Sequence, residues 1–324
     1  MPKMNQKILT CAVYLYASRS EADNGSNFGG TGFLVSIPSV KYPDKAKHGY
    51  VVSNWHTAIK GAKSVVRLNR RDGKTEIFEY GPEDWEKDPN GYDIAAVSIK
   101  ITDDHDAGFV PLDLFADEKT LAQYEVGVAD NVFMVGRFVD HDGGPTNMPA
   151  ARFGHISVMP SPMKMDTGVV GKNFCIDIHS RTGYSGSPVF VYRLVTDDME
   201  NTAGFKVRHN TGIFKLLGIH YAQFPEELEL KNTEPKQYLK GMSGMTCIIP
   251  AWNIAAMLNS PKFVKRRQMA EDGLDQYFRT HGEPSSSESA DLPAKTGDEI
   301  LRAMLQTPPT PVTKSKAKAK KGDG

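Results

Sequence analysis

Apolar positions along the chain fall in short runs separated by polar, glycine-rich turns, and the runs favour Val, Ile, Tyr and Phe over helix formers. That pattern predicts strands. In the first third they are Ile8–Ser18, Thr31–Ile37 (entered through Gly29-Gly30), Tyr50–Asn54, Ser64–Leu68, Lys74–Tyr80 and Ile94–Ile101. Arg70-Arg71-Asp72-Gly73 carries the Asp-Gly signal of a hairpin joining the fourth and fifth runs. Polar turns at Asp103–Gly108 and a charged, linker-like stretch over Phe115–Val128 precede a second series of runs. These are Asn131–Gly136, Ala151–Met159, Phe174–His179, Pro188–Arg193, Leu216–Ala222 and Met245–Pro250. Asp197–Asn210 is polar throughout and reads as a long loop. Ala251–Leu258 switches to helical spacing, with Ile254 and Leu258 on one face. Many short strands at regular spacing predict an all-β barrel or sandwich, here two β units at about residues 8–118 and 128–250 closed by a helix.

The pattern ends near residue 262. Beyond it Lys265-Arg266-Arg267 opens a charged, helix-like segment, the chain turns rich in Pro, Ser and Glu over Pro284–Ala290, and after a candidate short helix at Asp298–Gln306 it finishes in prolines and lysines. This division gives a first unit at 1–118, a second with its closing helix at 119–262, and a largely disordered tail at 263–324. The tail reads as a solvated segment or as a docking peptide for a partner or activator.

Composition narrows the function classes. The 324 residues contain 39 Lys+Arg and 39 Asp+Glu, so no overall field favours nucleic acid or an anionic membrane. No apolar run is long enough to span a bilayer as a helix. The apolar Ile8–Ser18 segment reads as a first strand in preference to a secretory leader. Cys11, Cys175 and Cys247 are too scattered for a disulfide framework, and no His/Cys spacing calls for zinc. The expectation is a cytoplasmic protein with free thiols, no metal and no cofactor.

Three segments carry chemistry. Arg181-Thr182-Gly183-Tyr184-Ser185-Gly186-Ser187-Pro188 sets a serine on a sharp turn running into an apolar strand. A serine hydroxyl needs a base, and the base needs an orienting group. His56 stands at the end of the strand Val51-Val52-Ser53-Asn54, and Asp93 opens the strand Asp93-Ile94-Ala95-Ala96-Val97. In those roles the imidazole takes the Ser185 proton and later returns it to the leaving group. The carboxylate fixes the imidazole tautomer, and the N–H groups of Gly183 and Ser185 receive the oxyanion.

With these residues in hand, the sequence resembles the trypsin-like (chymotrypsin-fold) serine peptidases over about residues 8–258. The order His56, Asp93, Ser185 matches. So do the entry strand Gly30-Thr31-Gly32-Phe33-Leu34-Val35-Ser36 and the strand Leu217-Gly218-Ile219-His220 after the serine. The resemblance implies two six-stranded antiparallel β-barrels with the site between them, a C-terminal helix and a partly disordered tail. It also implies endopeptidase activity on a polypeptide substrate through an acyl-enzyme. The absence of a cysteine beside His56 places the chain nearer the disulfide-free bacterial and viral branches.

Departures from the family pattern are informative. Tyr184 occupies the position where members activated by cleavage carry an Asp that pairs with a new N-terminus, so the oxyanion hole is expected to be preformed or ordered by a partner. His179 stands where trypsin-type members carry an acid, which argues against cleavage after Lys or Arg; Asp177 is the rival for that role. His220 with Ser180 is similar to glutamyl endopeptidases and implies a pocket for Glu, Gln or Asp before the scissile bond, lined by His179, Ser180, His220, Tyr221 and Gln223. His220 as a buried strand residue bonded to Tyr221 or Tyr14 is the alternative. A binding or scaffold protein that keeps the fold without turnover, and a peptidase that processes only itself, are the alternatives to the enzyme reading.

Overall fold

The computed structural model describes residues 6–137, 144, 146–178, 183–193, 212–229 and 238–281. Two β units sit side by side, followed by two helices. The first contains β1 (Ala12–Tyr16), β2 (Gly30–Pro38), β3 (Lys47–Ser53), β4 (Val65–Asn69), β5 (Thr75–Phe78), β6 (Glu86–Lys87), β7 (Ala95–Ile99) and β8 (Val110–Pro111). Its strand order is β5-β4-β1-β2-β3-β7-β6, with β8 pairing β2 in parallel. This sheet curls as a half-barrel. It differs from a closed six-stranded barrel because β6 and β8 are only two residues each and leave the ladder open between β5 and β6. The Asp-Gly hairpin forms as its residues demand. Val66 pairs with Phe78, Arg70 N donates to Lys74 O at 2.8 Å, and Gly73 takes a φ of 81°.

The second unit closes fully, in the order β10-β11-β14-β13-β12-β9. Its strands are β9 (Asn131–Arg137), β10 (Pro149–Lys164), β11 (Val170–Asp177), β12 (Pro188–Arg193), β13 (Ile213–Glu229) and β14 (Tyr238–Pro250). All six pairings are antiparallel. This all-β, two-unit architecture with a C-terminal helix is the trypsin-like arrangement that the resemblance implies. One apolar cluster runs through both units. It takes Phe33, Val35, Val52 and Ile94 from the first and Phe133, Phe190, Phe214 and Ile249 from the second, and Ile254 from the helix seals it.

Several local expectations change. Residues Gln6–Cys11 form a 3-10 helix, so the first strand begins only at Ala12. The linker stretch contains a helix, α2 (Glu118–Gln123), after α1 (Arg19–Asn24) in the first unit. Asp117 caps α2, its Oδ1 accepting from Thr120 N at 2.7 Å. The helix predicted at Ala251–Leu258 forms as α3.

The charged segment after residue 262 does not begin as a disordered tail: α4 spans Pro261–His281 and docks on the first unit. Phe263 is buried edge-on against Tyr50, which contributes about 2 kcal/mol of apolar burial. Arg267 is buried beside them and donates to Leu258 O at 2.7 Å and to Tyr50 Oη at 3.3 Å. Glu271 is buried between Val40 N, at 2.8 Å, and His48 Nε2, at 3.0 Å. The helix-like reading of the segment opened by Lys265-Arg266-Arg267 agrees with α4, whereas its docking was not legible because the docking face carries the polar Arg267 and Glu271. The Asp197–Asn210 loop and the tail from residue 282 onward fall outside the described residues, apart from which no helix is long and apolar enough to cross a membrane.

Candidate active site

His56 opens a short, wide helical turn, His56–Lys60, directly after β3, and Asp93 lies two residues before β7. Strands β3 and β7 are antiparallel neighbours, with Ser53 paired to Ala95, so the sheet itself brings the two residues together. The Asp93 carboxylate then grips His56 twice. Oδ1 accepts from the His56 backbone N at 2.8 Å, and Oδ2 meets ring Nδ1 at 2.5 Å. Asn54 Nδ2 donates to the Asp93 carbonyl at 2.8 Å and locks the acid from behind. The Asp93 side chain is 6% exposed and that of His56 is 34% exposed, so the acid is shielded while the ring reaches the cleft. A carboxylate only accepts, so Nδ1 carries the proton and Nε2 presents a lone pair.

Ser185 sits across the cleft on the turn between β11 and β12. Gly183 and Gly186 take φ angles of 95° and 88°, which side chains other than glycine rarely adopt. A Cβ on Gly186 would also stand 1.9 Å from the Thr31 carbonyl. The turn is held from both units. Thr31 Oγ1 donates to Gly183 O, and Thr31 N donates to Ser185 O, each at 2.9 Å. Ser53 Oγ in turn donates to Thr31 O at 2.7 Å. From the second unit, His220 N donates to Ser187 O at 2.9 Å and Gly186 N to His220 O at 3.0 Å. The His220 ring donates through Nδ1 to the Tyr184 carbonyl at 3.0 Å.

These contacts orient the Ser185 N–H. In a trans peptide the N–H points opposite to the carbonyl. Holding Tyr184 C=O toward His220 therefore directs the Ser185 N–H to the other side of the turn. The Gly183 N–H belongs to the peptide shared with Thr182, which is outside the described residues.

His56, Ser185 and Gly183 line one cleft of about 460 Å³ together with His220, Tyr221 and Gln223. Thus six of the residues singled out in the sequence converge, with Asp93 directly behind His56. His179 and Ser180 lie outside the described residues. Among the described residues no hydrogen bond joins the Ser185 hydroxyl to the His56 ring; such bonds commonly tighten only when substrate arrives.

His220 serves both of the roles weighed for it in part. It lines the cleft, and it is a buried strand residue bonded to a tyrosine, but the tyrosine is Tyr184 and the contact is to its backbone. Burial pushes its imidazole down to about 3, so the ring is neutral. Tyr221 accepts from Asn173 Nδ2 at 3.2 Å, and burial raises its phenol. Tyr184 is fully buried; Arg152 on β10 donates through Nε to its hydroxyl at 2.6 Å and lies 4.8 Å from its ring centroid. The position that would hold a buried acid is filled by an anchored aromatic ring.

Sequence reasoning missed Thr31, Ser53, Asn54 and Arg152. A trace was available for the first: Thr31 is a polar residue between two glycines at the start of a strand that is otherwise apolar and buried. Lys63 was missed as well. It lines the cleft beside Gly29, where a Cβ would stand 2.3 Å from Lys63 Cγ. Among the described residues no group of three or more His, Cys, Asp or Glu is placed to hold a metal.

No protein-family model matches the sequence, and no curated protein matches it. Solved structures do. The MamO protease domain from Magnetospirillum magneticum (apo form) is 15% identical, with 78% of this chain and 98% of that one covered at a TM-score of 0.46. The HtrA-type protease AlgW with decapeptide is 15% identical, with 79% of this chain and 53% of that one covered at 0.41. The Rv3671c protease from M. tuberculosis in its active form is 17% identical, with 76% and 78% covered at 0.41.

Proposed function

We propose that this protein is a serine endopeptidase in which Ser185 attacks a peptide carbonyl, His56 is the general base and then the general acid, and Asp93 orients His56. One observation carries the reading: the shielded Asp93 carboxylate bonds both the backbone N and the Nδ1 of a histidine that shares its cleft with Ser185. Nε2 takes the Ser185 proton as the hydroxyl oxygen bonds to the carbonyl carbon. The oxyanion is received by the Ser185 N–H and, as its partner donor, by that of Gly183. His56 then protonates the leaving amine, and water repeats the sequence on the acyl-enzyme.

The cleft wall supports a polar residue before the scissile bond. His220 is neutral and uses its Nδ1–H on Tyr184 O, so its Nε2 is an acceptor. A neutral histidine on this wall supports the Glu, Gln or Asp expectation through hydrogen bonding, with no cationic side chain of its own. The three free, buried cysteines fit a reducing compartment such as the cytoplasm.

The test is active-site labelling with a fluorophosphonate, read by mass spectrometry. Wild type is expected to label on Ser185, and Ser185→Ala and His56→Ala to lose the label. A folded wild-type chain that never labels on Ser185, with peptide substrate present or absent, supports the binding-protein alternative. Intact mass of the purified chain identifies self-cleavage.

A further inference from the structure

Cys175 on β11 and Cys247 on β14 are direct cross-strand partners. Ile178 N donates to Gly244 O at 3.1 Å, so the hydrogen-bonded positions of this antiparallel pair fall at 178/244 and 176/246. The cysteines therefore occupy a non-hydrogen-bonded position. There the Cα atoms lie about 4.5 Å apart and the two side chains project from the same face at their closest approach. That separation lies within the range of roughly 4.4–6.8 Å that a disulfide spans. Both are free thiols, 2% and 4% exposed.

Two half-buried residues flank the pair. Cys175 Sγ lies 3.7 Å from the Sδ of half-buried Met163. Cys247 pairs on its other side with Ala222 of β13, which lines the cleft together with Tyr221. A hydrogen bond from Cys247 holds the Cys175 thiol below its usual range, whereas the same contact and burial push Cys247 up. The contact between the two sulfurs favours a thiolate at Cys175, the sulfur that accepts the hydrogen bond. Cys11, in the same apolar cluster, has no such partner in register, and burial raises its thiol to about 12.

We propose that Cys175 and Cys247 form a redox-active dithiol, closed to a cross-strand disulfide by peroxides, that sits one strand behind the wall of the cleft. The Cys175 thiolate attacks a peroxide oxygen, breaking the O–O bond and giving a sulfenic acid; one water is released. The Cys247 sulfur attacks that sulfenic sulfur, the S–O bond breaks, and a second water leaves. Two thiols lose two protons and two electrons, and one hydrogen peroxide becomes two waters. Closure draws Cys247 Sγ away from the Tyr221 hydroxyl that it contacts, and so changes the cleft wall. The sulfur chemistry is independent of the peptidase reading; only its effect on turnover rests on that reading.

The full chain, folded and reduced, is treated with hydrogen peroxide, blocked with iodoacetamide and mapped without reduction. Wild type and Cys11→Ala are expected to yield a linked peptide containing Cys175 and Cys247, with a loss of about 2 Da per chain that dithiothreitol reverses. Cys175→Ala and Cys247→Ala yield none. A wild-type map in which both cysteines stay alkylatable after unfolding, or are oxidised singly to sulfinic or sulfonic acid with no linked peptide, overturns the proposal. If wild type labels on Ser185, the oxidised form is expected to lose at least half of its turnover and to regain it with dithiothreitol; unchanged turnover overturns the link to the cleft but leaves the peptide map to judge the disulfide.

Discussion

Thr31 Oγ1 donates to the Gly183 carbonyl at 2.9 Å from a different β unit. The Thr31 N–H bonds the Ser185 carbonyl, so one residue of β2 holds the Ser185 turn at both Gly183 and Ser185. Gly30 beside it lets the turn approach, since a Cβ there would stand 3.3 Å from Ser185 O and 2.5 Å from Thr57 Cγ2. Thr31→Val keeps the volume and removes the donor, leaving a buried carbonyl unpaired at a cost of about 1–3 kcal/mol. The expected result is a kcat roughly ten-fold lower with KM little changed, measured by steady-state peptide cleavage. An unchanged kcat would show that the backbone bond alone holds the turn.

Asp93→Asn tests the tautomer argument. An Asn keeps the shape but can donate to Nδ1, which moves the ring proton to Nε2 and leaves no base facing Ser185. The loss expected for such a change in a Ser-His-Asp triad is about 10⁴-fold in kcat. Burst kinetics with an ester substrate would locate the loss in acylation. A loss smaller than ten-fold would remove Asp93 from the orienting role.

Which parts of this site could be read from the sequence follows from what each residue touches. His56, Asp93 and Ser185 each sit next to an apolar strand run, and that flank is a local pattern. Thr31 and Arg152 act through contacts with residues 152 and 32 positions away, which periodicity does not record. The strand blocks were readable for the same reason, because two-sided burial leaves runs such as Phe33–Val35 and Val132–Val135 apolar throughout. The docking of helix α4, unlike its helical character, was hidden because Arg267 and Glu271, which dock it, look like surface charge. Its partners Tyr50 and His48 lie more than 200 residues earlier.

His220 gives the fold an acid sensitivity with a defined window. Its folded value is depressed, by burial first, from 6.5 to about 3. Between those values the unfolded chain binds the proton and the folded chain does not, so stability falls as pH drops below 6.5. The slope from this group is about 1.4 kcal/mol per pH unit. Chemical denaturation at pH 7 and pH 5 is expected to show that loss in wild type and a smaller one in His220→Gln. Equal slopes in both proteins would assign the acid sensitivity to other groups.

The anchoring of α4 predicts a separate, lower window. Burial alone would raise the Glu271 carboxyl, but hydrogen bonds from His48, Val40 N and Ser39 outweigh it and hold it below its ordinary 4.5. A depressed carboxylate contributes its full stability above 4.5 and loses it as pH falls through the folded value. The other groups facing this corner are Lys41, paired with Asp272 and Asp275, and the Tyr42 hydroxyl, which donates to Asp275 at 2.7 Å. Those pairs are more exposed and contribute less. Glu271→Gln keeps the size and removes the charge-assisted bond to His48, worth about 1.5–3 kcal/mol. At pH 7 the variant is expected to melt several degrees below wild type, and at pH 3 the two melting points are expected to converge. Hydrogen exchange would show faster opening of residues 261–275 in the variant at pH 7. Melting points that stay separated at pH 3, or that coincide at pH 7, would show that the helix docks through Phe263 and Arg267 without the buried carboxylate.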